Sequence, residues 1–271
     1  MHGGHHKSEF DLKMLLAYES FDFAISESAL LRKEQLATPW AEEQKRTLHK
    51  WVMVGLVGIL TGVLAFLLGL LIDAWVYLRI NIAGDILLDY GRAAAWAYFS
   101  GLSLVYVVVS AYFTSYHAPT AAGSGIPEVK AMLNGVNLKD VLAFKTLLVK
   151  FFGVTLSVGG GLCLGIEGPL VQCGSAIAMQ INNTSGQHKW DHFKKEYIAC
   201  GTSAGIAAAF GAPSASVLFV MEEMASFWST PLLWMVVLAS FFSALVLNIL
   251  KAAYYGHADY INNEDLIVVG Q

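Results

Sequence analysis

At 271 residues the chain is long enough for one large domain or two small ones, but 56% apolar and only 14% charged residues lie outside the composition of ordinary soluble proteins. A formal charge of −4, with 17 basic residues spread over several segments, leaves no basic face for nucleic acid. Cys163, Cys173 and Cys200 sit in apolar segments without CxxC spacing, which argues against a disulfide framework and a zinc site and predicts buried packing residues, with no metal and no cofactor.

Residues 1–50 are polar and mixed in charge, and MHGGHHKSEFDLK lacks the apolar core of a cleaved signal peptide. Arg32, Lys33, Lys45, Arg46 and Lys50 precede the first apolar run, which places this segment in the cytoplasm. From 51 to 256 the chain reads as an all-α, polytopic transmembrane region. Val52–Ile72 carries no charge and matches the roughly 20 residues that cross about 30 Å of hydrocarbon. Gly55, Gly58, Gly62 and Gly69 suit close packing against another membrane helix. A short loop with Arg79, Asp85, Asp89 and Arg92 is expected next, then a span from about Ala93 to Tyr112, with Trp96, Tyr98, Tyr106 and Tyr112 as interfacial aromatics.

His117–Val136 is too polar and too rich in Gly and Pro for a plain span. Gly123, Ser124, Gly125, Ile126 and Pro127 predict an irregular turn opening a short helix. Phe144–Leu164 is apolar apart from Lys145 and Lys150, and Leu170–Ile181 is shorter than a span. The polar loop 182–196 carries a sequon at Asn182, to which little weight attaches. Ile198–Met221 is rich in Gly and Ala and is broken at Gly211 and Pro213; Glu222 and Glu223 end it, Phe227–Leu250 is a final span, and 257–271 is a polar tail or truncation point. Tilted, broken and re-entrant helices of this kind fit transporter architecture, because irregular backbone at membrane depth is tolerated where it lines a cavity.

The chemistry centres on Gly165, Ile166, Glu167, Gly168 and Pro169, a helix N-terminus at the end of an apolar run. First-turn N–H groups and the positive end of the helix dipole attract an anion without a tight salt bridge. Gly123–Pro127 repeats the geometry with the Ser124 hydroxyl as an added donor, and Gly211–Pro213 begins a third helix. Ionised, Glu167 competes with a free anion for those N–H groups; protonated, it releases them, so one side chain couples protons to anion passage. The plain alternative is that Glu167 only caps its helix. Glu222 and Glu223 are a solvated helix end or a pair that exchanges protons. Lys130, Lys145, Lys150, Lys194 and Lys195 read as loop or interface charges.

GSGIPE at Gly123–Glu128, GIEGP at Gly165–Pro169, and GAP followed by EEM at Gly211–Met224 resemble the CLC family of chloride channels and anion/proton exchangers. The likeness runs from about Glu19 onward and is greatest to the intracellular and plant vacuolar branches. It implies one half of an inverted-repeat membrane fold that is homodimeric at full length. Chloride and protons are the implied substrates, membrane lipid the surroundings, and an endosomal, lysosomal or vacuolar membrane the location; the protein is not an enzyme. It further implies that Ser124 belongs to a chloride-preferring central site, that Glu167 is the gating glutamate, and that Glu223 is the inner proton acceptor typical of exchangers. Ile166 stands where the family usually has Lys or Arg, and the second half, with its tyrosine, GxFxP motif and CBS domains, is expected to be missing. Chloride/proton antiport is therefore the leading expectation, with an uncoupled chloride channel and a non-conducting half-length partner subunit as alternatives.

Overall fold

The computed structural model describes residues 40–136, 138–184 and 191–256; the expectations for the remaining N-terminal segment and for the tail lie outside these residues. From Gln44 on, the described residues belong to one compact unit, and all their regular structure is helical.

Helix α1 spans Trp40–Tyr90. It contains the predicted span Val52–Ile72 but continues through Arg79, Asp85 and Asp89, where a loop was expected. Between Leu71 and Tyr90 only Gly84 is a poor helix former and no proline intervenes, so four charges alone do not end the helix. It stops at Gly91, whose φ of 86° is open to glycine at little cost. At 51 residues α1 is about 75 Å long, more than twice the hydrocarbon thickness of a bilayer, so it protrudes or tilts.

Helix α2, Arg92–Tyr116, returns alongside α1. A 3-10 turn at Pro119–Ala121 leads to the short helix α3, Ile126–Leu133, as the glycine and proline pattern predicts. Helix α4, Phe144–Gly159, ends five residues before the expected Leu164, because Gly159, Gly160 and Gly161 follow in a row and Gly161 takes a φ of 88°. Residues 162–165 are irregular and lead into α5, Glu167–Thr184. Helix α6, Asp191–Phe210, breaks at Gly211 and resumes as α7, Pro213–Phe219, followed by a π-helical turn at Val220–Met224. Helix α8, Thr230–Tyr255, starts on the Ser229 hydroxyl, which accepts from the Leu232 N–H at 3.3 Å, with Pro231 in its first turn.

The centre of the unit is the α5–α6 pair, with α8 packed on α6 and α2 on α4. Glycines make the central approach possible: a Cβ on Gly174 would overlap the Gly201 carbonyl, one on Gly201 the Gly174 carbonyl, and one on Gly205 the Leu170 carbonyl. On α1, Gly58 and Gly62 touch the Ala239 and Ser243 carbonyls of α8 and Gly55 touches Phe242, whereas Gly69 has open space. Among the described residues three helices are long and apolar enough to cross a membrane: α1 from Gln44, α2 and α8. The sequence of α5 is less apolar, but thirteen of its eighteen residues are buried by its neighbours.

Of the three thiols, Cys173 and Cys200 are buried as expected; Cys163 is exposed, because the segment that carries it is not helical. Asn182, the acceptor of its sequon, is 3% exposed inside α5, while Asn183 and Thr184 after it are exposed. Tyr106 is a packing residue against Trp75, with ring centroids 5.2 Å apart, while Trp96 and Tyr112 are exposed.

Candidate anion site

Two helix N-termini meet at the predicted site. The loop before α3 carries Gly123 and Gly125 at φ of 73° and 85°, values that a residue with a side chain takes only with strain. Gly125 lies directly on Gln172 of α5, and any Cβ there would overlap that side chain. Gln172, 2% exposed, donates from Nε2 to the Thr120 carbonyl at 3.3 Å and to the Val141 carbonyl at 3.1 Å. The next loop residue, Ser124, is pressed onto Gly168: a Cβ on Gly168 would overlap Ser124 Oγ. The hydroxyl therefore stands at the first turn of α5.

In α5 the Leu170 N–H bonds the Ile166 carbonyl at 3.0 Å, and in α3 the Val129 N–H bonds the Gly125 carbonyl at 3.1 Å. The N–H groups ahead of these have no acceptor within their helices, and Pro169 and Pro127 remove a donor that a first turn would leave unpaired anyway. The Glu167 carboxylate folds back over Gly165, where a Cβ would overlap Oε2, so it occupies the end of its own helix. It is half-buried. Both readings of Glu167, cap and competitor for an anion, place it there.

Lys150 departs from the sequence expectation. It is a buried residue of α4, 2% exposed, and its Nζ donates to the carbonyls of Ala121 at 3.0 Å and Gly123 at 2.7 Å. An ammonium has three donors, so one remains after the loop is pinned. No carboxylate among the described residues forms an ion pair with it. A lysine in the middle of the apolar residues of α4, rather than at its end like Lys145, was the signal that could have identified it, since an intramembrane cation is by default functional.

These groups line one cavity of about 730 Å³, walled by Gly123, Ser124, Lys150, Gly165, Glu167, Gly168 and Pro169 and by the hydroxyls of α2 and α4. Ser110 Oγ donates to the Gly153 carbonyl at 2.8 Å and lies 2.8 Å from Ser157 Oγ; Thr114 Oγ1 donates to the Ser110 carbonyl at 3.0 Å. This hydroxyl wall was not legible in the sequence, because α2 and α4 are apart in the chain.

The remaining predicted residues stand outside the cavity wall. Gly125, Ile126 and Pro127 shape the loop and the first turn of α3 without lining the cavity. Ile166 packs on an apolar cluster of Ala65, Leu68, Leu170, Ala208 and Leu247. Glu223 is exposed in the π-helical turn, with Oε2 3.6 Å from Lys130 Nζ, and Asn134 Nδ2 donates to the neighbouring Met224 carbonyl at 3.2 Å. Among the described residues no group of acidic, His or Cys side chains is arranged to hold a metal ion.

Comparison with known proteins gives the family of the chain. The family profile of voltage gated chloride channels matches residues 102–269. The chain is 34% identical, over 94% of its length, to H(+)/Cl(-) exchange transporter 7 of Bos taurus, and 35% identical, over 85%, to chloride channel protein CLC-c of Arabidopsis thaliana. It spans 34% and 31% of those proteins, about a third of their length. Among solved structures, a eukaryotic CLC transporter is similar with a TM-score of 0.68 at 26% identity, over 75% of this chain and 38% of that one. A slow cyanobacterial Cl-/H+ antiporter is similar with a TM-score of 0.68 at 28% identity, over 74% of this chain and 47% of that one.

Proposed function

The chain belongs to the voltage gated chloride channel family, and on that premise we propose that it supplies the Glu167 side of a chloride/proton exchange pathway in an intracellular membrane. The observation that carries the reading is the meeting of two helix N-termini, the Ser124 hydroxyl and the unpaired Lys150 ammonium in one cavity, with the Glu167 carboxylate among them. Donors and positive charge converge there, and Glu167 is the one carboxylate among the residues that line the cavity.

A chloride ion entering the cavity meets N–H and O–H donors arranged beforehand, so little reorganisation is needed to replace its water. While Glu167 is ionised its carboxylate holds the first-turn N–H groups of α5. Protonation removes that attraction, the side chain swings off, and the anion takes its place. The return of the carboxylate to the helix end expels the anion and releases the proton, which ties the two fluxes. Glu223 is the inner proton acceptor in this reading. Relatives named as exchangers support the coupling. The position of Glu223 outside the cavity favours the second reading, a chloride pathway without proton coupling.

Reconstitution of the chain into liposomes under a chloride gradient, with proton and chloride movement recorded together, tests both. Exchange predicts protons moving against chloride, and Glu167→Ala abolishing proton movement while chloride flux persists. Chloride flux without protons refutes exchange; no flux refutes conduction by this chain alone.

A further inference from the structure

We propose that a layer between α1 and α2, formed by Trp75, Arg79, Phe99 and Ser103, binds the phosphate of an anionic phospholipid at a place separate from the cavity. Trp75 and Arg79 are one turn apart on α1, and Phe99, Ser103 and Tyr106 follow at spacings of four and three on α2, so each set shares a helix face. The two faces meet. The Trp75 and Tyr106 rings are in edge contact, the Arg79 guanidinium carbon lies 5.0 Å from the Phe99 centroid, and the Tyr98 hydroxyl donates to the Leu78 carbonyl at 3.1 Å. The glycine run after α4 is the floor: Trp75 rests on Gly159, Tyr106 on Gly160 and the guanidinium on Gly161.

Three polar atoms in this layer, Trp75 Nε1, Arg79 Nε and Ser103 Oγ, are buried without a hydrogen-bond partner. The first two can only donate and the third can donate as well. Each is a donor that meets no acceptor of the protein, so the layer lacks one. No carboxylate among the described residues pairs with Arg79. One uncompensated charge with donors beside it and no acceptor selects an anion.

The surroundings select its source. Arg79 follows the apolar run that ends at Ile72, the sequence position at which interfacial groups are expected. Its neighbours Tyr77, Ile80 and Trp96 are 62%, 49% and 72% exposed, an aromatic and aliphatic surface suited to acyl chains. Guanidinium geometry matches phosphate oxygens in pairs. Arg79 is itself partly exposed, and turning it onto a phosphate uncovers the donors behind it. A simpler role, offsetting the negative end of α4, leaves Trp75 Nε1 and Ser103 Oγ unexplained.

The test follows thermal unfolding of the detergent-purified chain while dioleoyl phosphatidic acid is titrated in, with phosphatidylcholine and inorganic phosphate as separate arms. Phosphatidic acid raises the midpoint and the other two do not. Arg79→Gln weakens the apparent lipid affinity about tenfold, as loss of charge-assisted bonds to phosphate predicts, and Trp75→Phe, which removes a single N–H, weakens it severalfold. An unchanged response in both variants, or none in the unmodified chain, overturns the site; an equal rise with inorganic phosphate overturns the lipid as its ligand. Where Arg79→Gln does not fold, Trp75→Phe carries the test. The readout involves no transport, so its outcome is independent of the exchange reading.

Discussion

Lys150 and Glu167 face one cavity from different helices, and their charges set what it attracts. At an effective dielectric of about 20, an ammonium about 8 Å from a monovalent anion would favour it by roughly 2 kcal/mol. Lys150→Met is therefore expected to weaken chloride binding about thirtyfold in a calorimetric titration, whereas Lys150→Arg retains most of it. An unchanged affinity in Lys150→Met would leave the lysine only the task of holding Ala121 and Gly123. Ile166 tests the same field from the other side of α5. Its side chain packs on the apolar cluster around Leu68, so Ile166→Lys has to reach past that cluster to water. The expected result is a higher anion current with a lower thermal midpoint; an unchanged current counts against an electrostatic role for this position.

Among the elements, glycines divide into those that hold helices together and those that do not. Gly201 touches the Gly174 backbone, which cannot move aside, so Gly201→Ala forces α5 and α6 apart and is expected to cost about 1–3 kcal/mol. Gly69 lies in the middle of α1 with open space where a Cβ would stand, so Gly69→Ala is expected to be neutral or to stabilise by about 0.5–1 kcal/mol. Thermal unfolding of the two variants in one detergent separates these outcomes, and equal effects would contradict the packing described for α5 and α6. Both glycines belong to small-residue patterns visible in the sequence. The pattern marks that a helix packs closely; it does not tell which glycine is at the contact, because that depends on where the axes cross.

For the whole molecule, the exposed apolar side chains are concentrated where α1, α2 and α8 meet their surroundings, with Leu104, Val108, Trp234 and Ile249 each more than half exposed. Lipid, unlike water, accommodates such a surface without penalty. Polar links inside then carry much of the specificity. Lys50 of α1 and Glu196 of α6 form an ion pair with side chains 17% and 10% exposed. Both side chains make further interactions, so Glu196→Gln is expected to destabilise by about 1–3 kcal/mol, the cost of one charge-assisted hydrogen bond, with little dependence on salt. A loss below about 1 kcal/mol in chemical unfolding would mean that water reaches the pair.

The sequence by itself determined the helical class, the breaks at Gly123–Pro127 and Gly211–Pro213, and the placing of Ser124 and Glu167 at helix N-termini, because glycine, proline and hydrophobic runs act locally. It misjudged the ends of α1 and α4, which turn on the continued helicity of a charged stretch and on a glycine triplet. Tertiary structure alone decided that Lys150 is buried, that it pins the Gly123 loop, and that the hydroxyls of α2 and α4 complete the cavity wall. Those are contacts between segments distant in the chain, where burial and charge pairing depend on packing. It also set Ile166 against the apolar cluster around Leu68 and Glu223 in an exposed turn beside Lys130, because the way a side chain faces depends on how its segment is packed.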